Sequence, residues 1–246
     1  MLGGGHNFAV DRAVGAEIER VMPGLRDSAR VNRAFLGRAV RYLAGQGIRQ
    51  FLDIGSGIPT VANVHEVAQA QDPDCRVVYV DRDPVAVAHS ELMLAGNDRA
   101  AVVHADMRDP EEILDSPQVR GLLDLDEPVG LLMLLMLHWI PDDSAPLELV
   151  GRYRAALAPG SFLALTHVTG DHQGEKLEEA TDVIKESRSP DQVTLRTHAE
   201  VSALFAGFEM IDPGLVGCGE WRPSGPADIA DAAMNMLVYA GIGRKN

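Results

Sequence analysis

A short apolar run, Phe51-Leu52-Asp53-Ile54, leads straight into Gly55-Ser56-Gly57-Ile58-Pro59-Thr60. Phe51, Leu52 and Ile54 suit a parallel strand covered on both faces. Gly55 and Gly57 admit backbone angles closed to other residues, so the main chain there can approach a ligand closely. Pro59 is expected in the first turn of a following helix, where its missing donor would be unpaired anyway. Parallel sheets bind ligands at the carboxyl ends of their strands, beside the point where strand order reverses. A nucleotide-like ligand is therefore expected at this turn.

The turn is not a dinucleotide fingerprint, because Thr60 stands where G-x-G-x-x-G needs its third glycine. It has no phosphate-loop lysine either. An acid, Asp53, precedes the first glycine instead. Such an acid repels a pyrophosphate and accepts a hydrogen bond from an ammonium group. An amino-acid-bearing nucleoside carries such a group.

The rest of the chain repeats the strand–helix pattern. Strands are expected at 76–81, 100–105, 129–137 and 161–168, and helices at 61–70, 84–94, 110–114 and 145–157. This alternation implies right-handed crossovers and a doubly wound, Rossmann-like α/β sheet. Helices are also expected at 11–22 and 28–44, the second with Val31, Phe35, Ala39, Tyr42 and Leu43 inward. Its arginines, Arg26, Arg30, Arg33, Arg38 and Arg41, mark either a solvated face or one or two contacts into the cleft. An acidic helix at 175–187 begins a helical insert near 170–195. A further helix at 197–205 starts with Thr197 and Glu200 at capping-box spacing. Two final strands, 208–211 and 236–240, complete an expected seven-stranded sheet with an antiparallel C-terminal edge strand. Residues 1–46 form N-terminal lid helices in this reading, and 47–246 the main domain.

Composition narrows the partners. The 246 residues carry a formal net charge of −14, which argues against general affinity for nucleic acid or an anionic membrane. The longest apolar run, 131–137, is too short to cross a bilayer. Two cysteines, Cys75 and Cys218, form no C-x-x-C pair, so neither zinc nor a disulfide framework is expected. No histidine pair has ligand spacing, and no metal is assigned. With no signal peptide at the start, the expectation is a soluble, cytoplasmic protein.

Asp53, Asp81 and Asp106 each end or follow one of three consecutive strands, on the same rim of the sheet. Asp81 suits an acceptor for both ribose hydroxyls. Asp106 suits an acceptor for an adenine amino group, with Met107 packing on the ring and Arg82 over its other face. The alternative is that these acids cap the next helices, as Asp83 and Asp109 are placed to do.

Asp53-Ile54-Gly55-Ser56-Gly57, Asp81 and Asp106-Met107 resemble the successive cofactor motifs of class I S-adenosylmethionine-dependent methyltransferases. The outer segments narrow the resemblance. Residues 2–12, 30–36, 137–143 and 239–245 resemble an actinobacterial group of S-adenosyl methyltransferases, long catalogued as a domain of unknown function. The resemblance covers nearly the whole chain. It implies the fold and S-adenosylmethionine as cofactor, and no particular acceptor. His6, Asn7 and Phe8 then read as a lid over the cofactor that excludes water. Arg33 reads as the partner of the cofactor carboxylate.

In such a reaction the methyl is already activated, and positioning supplies much of the rate. A base is needed only for an acceptor that arrives protonated. His138, ending the fourth strand, is the candidate base or a cofactor contact; His167 is the second choice. The expected activity is methyl transfer to a small molecule. The competing readings are a cofactor-binding regulatory or accessory protein without turnover, and a nicotinamide-dependent oxidoreductase. The acceptor, the methylated atom and the oligomeric state stay open.

Overall fold

A computed structural model describes residues 17, 19–172, 174, 177, 179–182, 192–229 and 232–246. His6, Asn7 and Phe8, most of the helix expected at 11–22 and most of the 175–187 helix lie outside the described residues.

Five parallel strands form the body of the sheet: β1 (Gln50–Ile54), β2 (Arg76–Asp81), β3 (Ala100–His104), β4 (Gly130–Leu134) and β5 (Phe162–Val168). Their spatial order is β3-β2-β1-β4-β5, so the order reverses between β1 and β4. Beyond β5 lies β8 (Val238–Lys245), antiparallel to it. β6 (Phe208–Met210) pairs with β8 on its far side, and the two-residue β7 (Val216–Gly217) also pairs with β8. Among the described residues the sheet has eight strands, with the antiparallel C-terminal strand one place in from the rim. Residues 241–245, expected as a tail or an edge extension, belong to this strand.

Alternation along the strands sorts the core into two layers. Phe51, Tyr79, Leu132 and Ala164 face the layer containing α1 (Leu25–Gly45) and α2 (Val64–Gln71). Leu52, Val78, Met133 and Leu165 face the other, with α6 (Pro146–Ala156). In α1, Val31, Phe35, Ala39 and Leu43 are buried, as the 3.6-residue period requires, and Tyr42 is half-buried. Its Arg38 is buried too, donating to the carbonyls of Trp221 (2.8 Å) and Cys218 (2.8 Å), so it is a structural pin.

Three boundaries differ from expectation. Pro59 lies in a loop, and α2 begins only at Val64, because Asn63 and Glu66 form a capping box there. The strand expected at 129–137 stops at Leu134, where Leu135 turns left-handed (φ 55°). An unexpected helix, α5 (Pro117–Leu122), follows α4 (Pro110–Leu114); Ser116 accepts from the Val119 amide and Pro117 opens the helix. The capping box at Thr197 is present, opening α7 (His198–Ala203).

Candidate cofactor site at the strand ends

The glycine turn after β1 puts two residues at positive φ, Gly55 at 73° and Gly57 at 65°. At Gly55 a side chain would also collide with the thioether of Met136. Glycine is thus favoured there by conformation, and any side chain would also displace Met136. The turn is anchored to β2: the Gly57 amide donates to Asp81 Oδ2 at 2.7 Å, and the Asp83 amide donates to Oδ1 at 2.9 Å.

A cleft of about 570 Å³ opens over these strand ends, lined by Gly55, Asp81, Arg82, Asp106, Met107 and Met136, among others. The structure thus brings together five of the residues expected from the sequence. Met107 is held by its carbonyl, which accepts from the buried Tyr153 hydroxyl of α6 at 2.8 Å. Arg108, which the sequence reading passed over, clamps both oxygens of Asp106 and holds its carboxyl below the usual range.

A second hollow of about 220 Å³ shares the turn and is lined by Arg33, Asp53, Ser56, Gly57, Asn63 and Tyr79, among others. Its polar groups are poorly satisfied. Arg33 donates through Nη2 to Thr60 Oγ1 and Asn63 Oδ1, yet its Nε is buried without a hydrogen-bond partner. Ser56 Oγ is likewise buried without one. Asp53 is 6% exposed. Burial raises its carboxyl to about 7, with Arg33 pulling it down and Asp81 pushing it up. Thr60, which breaks the dinucleotide fingerprint, is here the anchor of Arg33. A guanidinium and a carboxyl beside one hollow match the carboxylate and ammonium of an amino-acid group. Two unpartnered polar atoms beside the hollow, Arg33 Nε and Ser56 Oγ, suit a polar ligand group.

His138 sits differently from expectation. It lies in the 3-10 turn Leu137–Trp139, beyond the end of β4, and is not among the residues lining either cleft. It is 5% exposed, its Nδ1 lacks a hydrogen-bond partner, and its ring packs edge-on to His167 at 5.9 Å. Burial, then His167 and Arg196, push its pKa down to about 3. At that value the ring is neutral at pH 7 and a feeble proton acceptor. His167 is no better placed. Its Nδ1 donates to the Val168 carbonyl (2.6 Å), so its Nε2 is the acceptor for Arg196 Nη1 (2.9 Å). Burial pushes its pKa down to about 4.

Arg196 organises this wall. The residue is 4% exposed, and its guanidinium also donates to the carbonyls of Leu137 (2.9 Å) and Ile140 (2.7 Å) and to Asp142 (2.6 Å). No local sequence pattern marks it, since its partners belong to β5 and the loop after β4. Among the described residues, no cluster of His, Cys, Asp or Glu is arranged to hold a metal.

The model of a family described as S-adenosyl methyltransferase matches residues 1–246. The chain belongs to this family. It is an S-adenosylmethionine-dependent methyltransferase with a Rossmann-like sheet. Among solved structures, it is similar to a DUF574 family protein from Streptomyces avermitilis. That protein is 37% identical, with 100% of this chain and 94% of that one covered and a TM-score of 0.95. It is also similar to a candidate methyltransferase from Thermobifida fusca YX, 43% identical, with 100% and 91% covered and a TM-score of 0.93. Human N-acetylserotonin methyltransferase, in complex with SAM, shares the fold alone: 16% identity, 97% of this chain and 58% of that one covered, TM-score 0.54. No curated protein matches the chain.

Proposed function

We propose that this methyltransferase binds S-adenosylmethionine across both hollows and passes its methyl group to a small-molecule acceptor. The observation that carries the cofactor pose is the buried Arg33 and Asp53 beside the glycine turn, with the partnerless Arg33 Nε and Ser56 Oγ. In this reading Arg33 and Ser56 receive the cofactor carboxylate and Asp53 its ammonium group. Asp81 receives the ribose hydroxyls. Asp106 and Met107 hold the adenine, with Arg82 on the other face and Gly55 and Gly57 giving close approach. The bound cofactor supplies a methyl group already activated on a sulfonium.

The protein's part is then orientation and exclusion of water. His138 enters as a buried, neutral residue behind the cleft wall, not as the proton acceptor, because its buried ring resists charge. An acceptor that arrives neutral or already deprotonated suits such a site. His6, Asn7 and Phe8 are assigned to the cover over the cofactor, within a lid of residues 1–46 on a catalytic domain of 47–246.

Two features favour a small acceptor. Residues 192–197 lie across the loop after β4, through the Thr194 amide on the His138 carbonyl (2.8 Å) and through Arg196. The net charge of −14 disfavours nucleic acid. Two free, buried cysteines favour a cytoplasmic setting. No helix of the described residues is long and apolar enough to cross a membrane.

The test is transfer from methyl-labelled S-adenosylmethionine into a fractionated cell extract. Label is expected in the low-molecular-weight fraction. Label only in protein or RNA would overturn the small-acceptor reading. Tight cofactor binding with no label anywhere would favour an accessory role.

A further inference from the structure

Leu135 is a branched residue in the left-handed region, with φ 55°. That conformation costs on the order of 1 kcal/mol and persists only where its surroundings impose it. Here the imposing partner is Thr166 of β5, which is fully buried. The Leu135 amide donates to both the carbonyl (3.1 Å) and the hydroxyl (2.9 Å) of Thr166. The Thr166 hydroxyl in turn donates to Asn32 Oδ1 on α1 at 2.8 Å. Immediately after the turn comes Met136, whose thioether lies against Gly55.

Asn32 stands next to Arg33. One turn of α1 therefore holds both sides of the cleft. Arg33 fixes the loop after β1 through Thr60 and Asn63; Asn32 fixes the loop after β4 through Thr166. Arg196 anchors the far end of that second loop, at Leu137 and Ile140, independently of Thr166.

We propose that Thr166 and Asn32 are positioning residues for cofactor binding: their hydrogen-bond chain holds Leu135 left-handed and so places Met136 over Gly55 as a wall of the site. This rests on the cofactor pose given above. Neither residue needs to touch the cofactor.

The test compares Thr166→Val, which keeps the shape and removes the hydroxyl, with Thr166→Ser, which keeps the hydroxyl. Calorimetry with S-adenosylmethionine should show Thr166→Val about 10-fold weaker, the effect of one lost hydrogen bond of about 1.4 kcal/mol. Thr166→Ser should stay within about threefold. Adding Asn32→Ala to Thr166→Val should cost little more, because both act through one chain. A cofactor-free readout is the Met136 methyl signal in methyl-labelled protein, assigned by its loss in Met136→Leu. It should move in Thr166→Val and stay in Thr166→Ser. Folded Thr166→Val protein that binds as wild type, with an unmoved Met136 signal, would overturn the proposal. Wild-type protein that binds no S-adenosylmethionine would instead overturn the cofactor pose.

Discussion

The Gly57 amide donates to the Asp81 carboxylate at 2.7 Å, so the loop after β1 and the end of β2 are a single hydrogen-bonded unit. Asp81→Ala should therefore remove a ligand contact and loosen the turn together. Charge-assisted hydrogen bonds contribute about 1.5–3 kcal/mol each, so the loss in S-adenosylmethionine affinity should be at least tenfold. Undiminished binding by calorimetry in a folded Asp81→Ala protein would remove Asp81 from the site.

Asp53 makes stability depend on pH. Its carboxyl is raised in the folded chain from 3.8 to about 7. Between those values the unfolded chain ionises Asp53 while the folded chain keeps it protonated. Its contribution to stability therefore falls as pH rises through this window and levels off above about 7. Asp53→Asn should flatten that segment of a denaturation-against-pH curve. The cofactor ammonium favours the ionised form, so binding below pH 7 should release a proton. Calorimetry in buffers of different ionisation enthalpy reads that release, and a buffer-independent heat at pH 6 would count against it.

Arg196 and Asp142 form an unequal pair. The arginine is 3% exposed at its side chain and the aspartate 75%. Arg196→Met strips partners from two buried carbonyls and from His167, and should cost about 3 kcal/mol. Asp142→Asn should cost under about 1 kcal/mol, because its side chain meets water. Urea unfolding of the two variants checks the contrast; equal losses would show that the carbonyl contacts do not carry the weight.

His138 and His167 should both stay neutral from about pH 5 upward, with pKa values pushed down to about 3 and about 4. Their imidazole NMR signals should not titrate between pH 5 and 8. A His138 signal with a midpoint near 6.5 would return it to the role of base.

How much of this was legible in the sequence depended on distance along the chain. Asp53, Asp81 and Asp106 announce themselves because a strand and its end are local patterns, and the fold delivers all three to one rim. Thr60 looked like a defect in a glycine fingerprint until Arg33, one helix away, was seen to use its hydroxyl. His138 reads as a base or a cofactor contact because nothing near it in sequence warns of burial; what keeps it neutral includes His167 and Arg196, which only the fold brings near. Met136 and Thr166 carry no motif, and Asn32 lies in the 30–36 segment with nothing there to mark its partner. Their relationship exists only through a turn whose left-handed residue is a leucine, which no propensity would place there.

The position of β8 bears on how the molecule is made. Residues 238–245 lie between β5 and β6, so β6 has no neighbour in the sheet until they arrive. On the ribosome, β1 to β5 can pair with one another as they emerge, building the rim that carries Asp53, Asp81 and Asp106 early. The 206–217 segment must wait, its apolar Phe208 and Met210 without their strand, until the later residues have been translated and threaded into the gap.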